Sequence, residues 1–388
     1  MQSDFHYYAT YVAAYLAGYT HEDSLKIAYS AQYVDCCSAT LLKKLKGPKS
    51  AVTTQMQSEL MNVRTDIVGL QNVTRIWASF HFLPYDLYAS IPKRPLRYLM
   101  KYRLICNSNG SLVADTVNLA RDNSLQAVGV AMHVLADTWA HKYFVGTPSL
   151  VMNNTNSYFY EHVITDNGTE KRQIVFKHNP AVADDVNKNY FSGSIFQNDE
   201  NSIMNLGHGR AGHLPDYSFI RYEYLPAWGN YEAVIKDNPA EYYKAFSQMV
   251  YALKCIKSGD EFVLDTYDTE SVNQYSEEIK QILEKRQVNA CDDWKKLGER
   301  ISGCEVKDFV INAYEQEYIH SGNDDKDDTF LGRFFIAAMA HKSMITGKIF
   351  KSGNILAGFS VDYKQLGFKG IKDYQKIIKK MRGSGNNG

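Results

Sequence analysis

The run HVLADTWAH places His133, Asp137 and His141 at i, i+4 and i+8 of one apolar, helix-forming stretch. At roughly 100° per residue the three side chains fall within about an 80° arc, so one helix face carries two imidazoles and a carboxylate. That face continues the apolar stripe of Val130 and Val134, which predicts that the trio points inward. Buried polar groups need partners. Either a His–Asp hydrogen-bond network satisfies them internally, or a divalent metal does so through imidazole nitrogen and carboxylate oxygen. Two histidines and an aspartate on one buried face favour the metal.

A second cluster, GHGRAGHLPD, lies later in the chain. Glycines 207, 209 and 212 free the backbone to fold tightly, so His208, His213 and Asp216 can converge on one point. Alone, this segment reads equally well as a solvent loop. Beside the helix it gains weight, because a metal site gathers ligands from several segments. Asp4, His6, Asp35 and His81 are uninformative singly. Asp4-Phe5-His6 opens a helical run, where an Asp is first a capping residue beside a surface histidine. Asp35 ends a helical run, where the helix dipole favours cations, so its charge is out of place.

The elements that must position these groups are mostly helices. Apolar and aromatic residues recur from Phe5 to Leu16 with Gly18 as a stop, and Thr20 caps a second run that ends at Asp35. Further helices are predicted over Ser50–Leu60 and Arg94–Tyr102, and the clearest one runs from about Asp122 to Phe144. SYFYEHVI and KRQIVFKH flank Asn167-Gly168, a strong hairpin signal, which predicts a β-hairpin over about 157–178 inserted into a helical protein. Residues 179–238, rich in Asn, Gly, Asp and Pro, read as long loops with short helices. Helical patterns return from Pro239: AEYYKAFSQMVYALKCI, SVNQYSEEIKQILEKRQ and DDTFLGRFFIAAMAHKSMITGKIF. The fold class is therefore mainly α. A metal-binding core over 1–238 and a helical extension over 239–388 would pack as one unit.

Composition narrows the class. With 45% hydrophobic and 22% charged residues the chain is globular rather than disordered. Forty-three basic residues balance 43 acidic ones, which argues against duplex nucleic acid as a partner. The apolar run Phe334–Ala340 is far shorter than the ~20 residues of a membrane span. The start MQSDFHYYAT has neither a basic nor an apolar signal region, so a cytoplasmic location is expected, with a mature secreted form as the alternative. Six cysteines without a CxxC spacing build no disulfide framework. Twenty-eight tyrosines suit wet pocket walls, though most must be ordinary half-buried packing.

Taken as a set, these motifs resemble a known superfamily. HVLADTWAH is similar to the central helix of the zinc-dependent phospholipase C and fungal single-strand nuclease superfamily, and SFHFLPYD resembles its His-Phe segment. DFHYYATYVAAYLAG, YVDCC, HVLADTWAHKYF and GHGRAGHLPD more closely resemble an uncharacterised bacterial and fungal family of unknown function, over about residues 4–224. The resemblance implies a multi-helix fold holding three zinc ions in a cleft. By position, Asp35, His81, His133 and Asp137 would form one site, with Asp137 bridging to a second. Asp4 and His6 would stand in that second site in place of a processed N-terminal amine and a nearby histidine. The third would draw on His141 and on His208, His213 or Asp216. Asp35 would also be the general base. The interval between Asp137 and His141 is shorter than in the phospholipases, and the late cluster lacks their final His-Glu helix.

The expected function is a metal-dependent hydrolase with two or three ions, zinc or another divalent metal, acting on a small phosphoester or phospholipid head group through a metal-activated water. Arg210 and Arg221 flank the late cluster and are candidates to clamp a phosphate, while Tyr7, Tyr8, Tyr143 and Trp139 are candidates to line the cleft. The alternative from another class is a non-catalytic helical binding protein that keeps a structural metal or a polar core network.

Overall fold

A computed structural model describes residues 1–54, 67–177, 184–192 and 208–358. The chain opens with a π-helical turn, Asp4–Ala9, that runs directly into α1 (Thr10–Leu16). Gly18, at φ +89°, reverses the chain into α2 (His21–Tyr33), which Thr20 caps by accepting from the Asp23 N–H. Next come α3 (Ala39–Leu45) and α4 (Ile67–Ile76), and α4 continues as a second π-helical turn, Trp77–His81. Then follow α5 (Leu96–Tyr102), α6 (Ser111–Ala120) and α7 (Leu125–Ala140). The later helices are α8 (Asn238–Ser258), α9 (Ser276–Glu284), α10 (Cys291–Ser302) and α11 (Phe330–Lys351).

The middle of the molecule is α7. Ser124 caps it, and every residue from Gln126 to Ala140 is buried, because its sequence is apolar on all sides. Helices α2, α6, α8 and α11 pack around it. Its crossing with α2 is unusually close. A Cβ on Gly129 would stand 2.4 Å from the Ile27 carbonyl oxygen and 2.5 Å from Ser30 Cβ, so only glycine fits. The main hydrophobic core reaches from Met1 to Ala357, and so draws on the regions expected to either side of residue 239.

The predicted hairpin is present as β1 (Thr155–Thr165) and β2 (Gly168–Gln173), with Thr165 paired to Gly168 across the two-residue turn Asp166-Asn167. In the described parts of the stretch beyond it the expected short helices stand at Val186–Lys188, His208–Ala211, Leu214–Asp216 and Ala227–Gly229, but strands that were not expected are there too. There β3 (Arg221–Pro226) and β4 (Val234–Asp237) extend the hairpin to an antiparallel sheet of order β2-β1-β3-β4. The period of two is real but short. Tyr222 and Tyr224 join a second apolar cluster with Phe144 and Phe159, while Glu223 on the other face meets His162 at 2.8 Å and Lys171. Flanking Gly, Asn and Pro residues obscured it. Two helix expectations also change. The stretch after residue 270 breaks into Glu270–Asn273 and α9, and only a 3₁₀ turn, Lys49–Ala51, stands at the start of Ser50–Leu60. The remainder of that stretch, from residue 55, lies outside the described residues.

Candidate metal centre

Five segments converge on one face of α7. The helix supplies His133 and Asp137, with His141 at its C-cap. The residue Asp35 follows the end of α2, and His6 and His81 come from the two π-helical turns. Asp216 closes the 3₁₀ turn Leu214–Asp216, which His213 precedes. Wide π turns recur at functional sites because one extra residue per turn re-aims a side chain without breaking the helix.

The spacing of the donor atoms is that of a coordination sphere. Ligands 2.0–2.1 Å from a tetrahedral zinc stand roughly 3.3 Å from one another. His81 Nδ1 and His133 Nε2 each lie 3.3 Å from Asp137 Oδ2, and 3.5 Å from each other. Asp35 Oδ1 stands a little further out, 3.8 Å from His133 Nε2 and 3.9 Å from His81 Nδ1. The other carboxylate oxygen of Asp137 faces His6 Nε2 at 3.2 Å, and Asp35 Oδ2 lies 3.8 Å from that same nitrogen. Beyond, His141 Nε2 and His213 Nδ1 each lie 3.3 Å from an oxygen of Asp216. Two overlapping ligand groups result, His6–His133–Asp137 and Asp35–His81–His133.

The outer partners of the rings decide which nitrogens face inward. His133 Nδ1 is 2.9 Å from the Ala31 carbonyl, His81 Nε2 is 2.8 Å from the Thr53 carbonyl, and His141 Nδ1 is 2.7 Å from the His81 carbonyl. A carbonyl only accepts, so each of these ring nitrogens carries the proton and the other presents a lone pair to the cluster. His6 is the most telling ring. It is fully buried and stacked on His133 at 3.9 Å, and among the described residues neither of its nitrogens makes a hydrogen bond. A metal bond at Nε2 would satisfy one of these two buried nitrogens.

Electrostatics point the same way. Burial, with the His133 ring beside it, pushes the His6 pKa down to about 4, so the ring is neutral and able to ligate at pH 7. Burial alone would raise the Asp137 carboxyl, but His141, the Met1 amine, His133 and His6 outweigh it and hold the group well below the usual carboxylate range. The Met1 amine lies 2.9 Å from Asp137 Oδ1 and 3.2 Å from Asp216 Oδ1. Burial disfavours its charge, yet Asp137, Asp216 and Asp35 push it up to about 11. This pocket stabilises positive charge.

Most of the ligand candidates meet here: His6, Asp35, His81, His133, Asp137, His141, His213 and Asp216. The side chain of His208 lies outside the described residues. Asp4 does something else. Its carboxylate accepts from the Phe5 N–H at 2.8 Å and the Ala290 N–H at 3.1 Å, as backbone groups near a helix start commonly require. Tyr7 donates to the Lys307 carbonyl and Tyr8 to Asp308, both at 2.9 Å, so these side chains anchor the opening turn to the later chain instead of lining a cleft. Trp139 sits on the other side of α7 and donates to Gln248 at 2.9 Å. Arg221 pairs with Asp237 at 3.2 Å and Glu284 at 3.4 Å, Tyr143 packs beside Trp228, and Arg210 is half-buried. The three orienting carbonyls escaped sequence reasoning, since backbone atoms leave no residue-type signal, and it is the Met1 amine, not Asp4, that meets Asp137 and Asp216.

The chain belongs to a family of unknown function, DUF6765, whose model matches residues 1–349. No curated protein and no solved structure matches it.

Proposed function

We propose that this cluster holds two or three divalent ions, zinc being the best match, and that the protein is a metal-dependent hydrolase of small phosphoesters or phospholipid head groups. One observation carries the reading: His81, His133 and Asp137 form a tight triad at 3.3–3.5 Å, and Asp35 stands outside it at 3.8–3.9 Å. Catalytic zinc keeps three protein ligands and an open fourth place, whereas structural zinc is closed by four. The Asp35 side chain is 31% exposed while that of Asp137 is 1% exposed, so the open side of the triad faces solvent.

A divalent ion in such a site supplies an activated water near neutral pH and charge to neutralise phosphate oxygens. The residues of the chain do the rest. Asp35 orients the attacking water and takes its proton, being the solvent-facing carboxylate next to the triad. The two oxygens of Asp137 face different histidines, so this side chain would help hold both ions if two are bound. Asp35, Asp137 and Asp216 carry less negative charge than two divalent cations carry positive charge, so the loaded centre attracts anions. The neutral overall composition fits a small phosphodiester or a single head group better than a long polyanion. The phospholipase C-like and nuclease-like relationship read from HVLADTWAH and SFHFLPYD is part of this proposal.

The test is elemental analysis of the purified protein together with hydrolysis of bis-para-nitrophenyl phosphate, a choline phospholipid and single-stranded DNA, each with and without a chelator. The expected result is at least two bound equivalents and chelator-sensitive release from one substrate. Bound metal without release from any of them would leave a structural centre, and absence of metal would leave a polar core network.

A further inference from the structure

Three residues after His81 the chain begins an excursion that returns where Pro84 bridges to Cys106, with Leu87 and Leu104 still in the core. Between Asp86 and Asp115 it carries five cations, Lys93, Arg94, Arg97, Lys101 and Arg103, and no carboxylate. Among the described residues none of the five forms an ion pair. Arg103 is used internally, donating to the Ala89 carbonyl at 2.9 Å, and Arg94 reaches Asn230 at 3.1 Å. Burial, and after it the neighbouring Arg97, lower the pKa of Lys101.

Helix α5, in the middle of this excursion, has no buried residue. Tyr98 and Tyr102 pack half-buried against the core, so the helix rests on one side while Leu96 and Arg97 face solvent. Leu96 is 55% exposed and Tyr88 is 70% exposed on the same excursion. The surface continues onto the sheet side. Tyr98 donates to the Trp228 carbonyl, Arg94 holds Asn230, and the exposed Tyr231 beside it bonds Asn154. Exposed aliphatic and aromatic side chains interleaved with unpaired cations match the interfacial zone of an anionic bilayer. There, rings and leucines enter the head-group boundary and cations meet lipid phosphates and carboxylates. A nucleic acid would use the cations and rings but has no place for Leu96.

We propose that the 84–106 excursion is a docking surface for anionic lipid membranes. This inference rests on charge and exposure alone and stands whether or not the metal centre is catalytic. The experiment is co-sedimentation of the full chain with phosphatidylcholine vesicles, with vesicles carrying phosphatidylserine, and with single-stranded RNA as competitor, each with and without chelator. Binding is expected only to the anionic vesicles, weakened by salt and unchanged by chelator. Each removed cation lowers affinity about five-fold, so K93Q/R97Q/K101Q together lower it roughly a hundred-fold. Leu96→Ser removes the part of the binding that survives high salt. All these side chains are exposed or half-buried, and circular dichroism checks that the variants fold. Equal binding to neutral vesicles, binding to neither, or RNA displacing the vesicles would each overturn the proposal.

Discussion

Replacing Gly129 by alanine acts on the centre from a distance that the structure specifies. The added Cβ would meet the Ile27 oxygen at 2.4 Å, where ordinary contact begins near 3.4 Å, so α2 has to retreat by about 1 Å. The Ala31 carbonyl on α2 would move with it, from 2.9 Å to roughly 3.9 Å from His133 Nδ1, beyond hydrogen-bond range. Asp35, at the end of the same helix, would shift too. The expected stability loss is about 1–3 kcal/mol from overpacking. The expected loss of metal affinity is about 10–100-fold, the usual cost of a missing outer partner on a ligating histidine. Leu135→Ala is the control. It faces away from the ligands on α7 and is fully buried, so it should cost about 2–5 kcal/mol while leaving affinity intact. The assay is titration of chelated, folded protein with zinc against a competing indicator, paired with denaturant unfolding. If Gly129→Ala is destabilised yet binds zinc as tightly as the parent, the α2–α7 spacing does not hold the site.

Three further outcomes follow from the same geometry. Asp137→Asn keeps the shape but removes the charge that faces both ligand groups, so it should lose more than one metal equivalent by elemental analysis. Full occupancy would refute the shared-ligand role. Asp35→Asn should retain most of the metal and lose turnover, because Asp35 stands outside the tight triad; a variant that hydrolyses at the parent rate excludes it as the base. His341 is buried, with its pKa pushed down to about 4 and Nε2 donating to the Ser79 carbonyl at 2.8 Å. Its folded pKa lies below the unfolded value, so its contribution is full above pH 6.5 and lost as pH falls towards 4, about 3 kcal/mol in all. His341→Gln keeps a donor without a titration, and its unfolding free energy should fall less between pH 7 and 4 than the parent's.

What was legible in the sequence is what periodicity can carry. The 3.6-residue repeat put His133 and Asp137 on one buried face, and Asn167-Gly168 located the hairpin turn. Apart from the family resemblance, Asp35 was flagged by a charge at the wrong end of a helix, and that oddity marked the solvent side of the cluster. His6 and His81 were not legible from their neighbours, because π-helical turns aim them and propensity does not distinguish a π turn from an α-helix. Asp4 was paired with His6 by proximity in sequence. In space its oxygens serve the backbone of Phe5 and Ala290. Strands β3 and β4 were missed because two short alternations sat inside a turn-rich stretch. The 2.4 Å approach at Gly129 was invisible for a simpler reason: a glycine inside a helix does not say what lies against it.

The anchoring of the opening turn has a consequence for synthesis on the ribosome. His6 is held in place by Asp4 on Ala290, Tyr7 on Lys307 and Tyr8 on Asp308, partners 286 to 300 positions later in the chain. At about 5–20 residues per second, roughly 15–60 s separate the emergence of this histidine from that of its supports. Contacts so distant in sequence form late, after the loop between them has closed. The earliest-made histidine of the cluster is thus the last to be secured, and a nascent chain stalled short of residue 308 would present α7 with its ligands while His6 still has no seat.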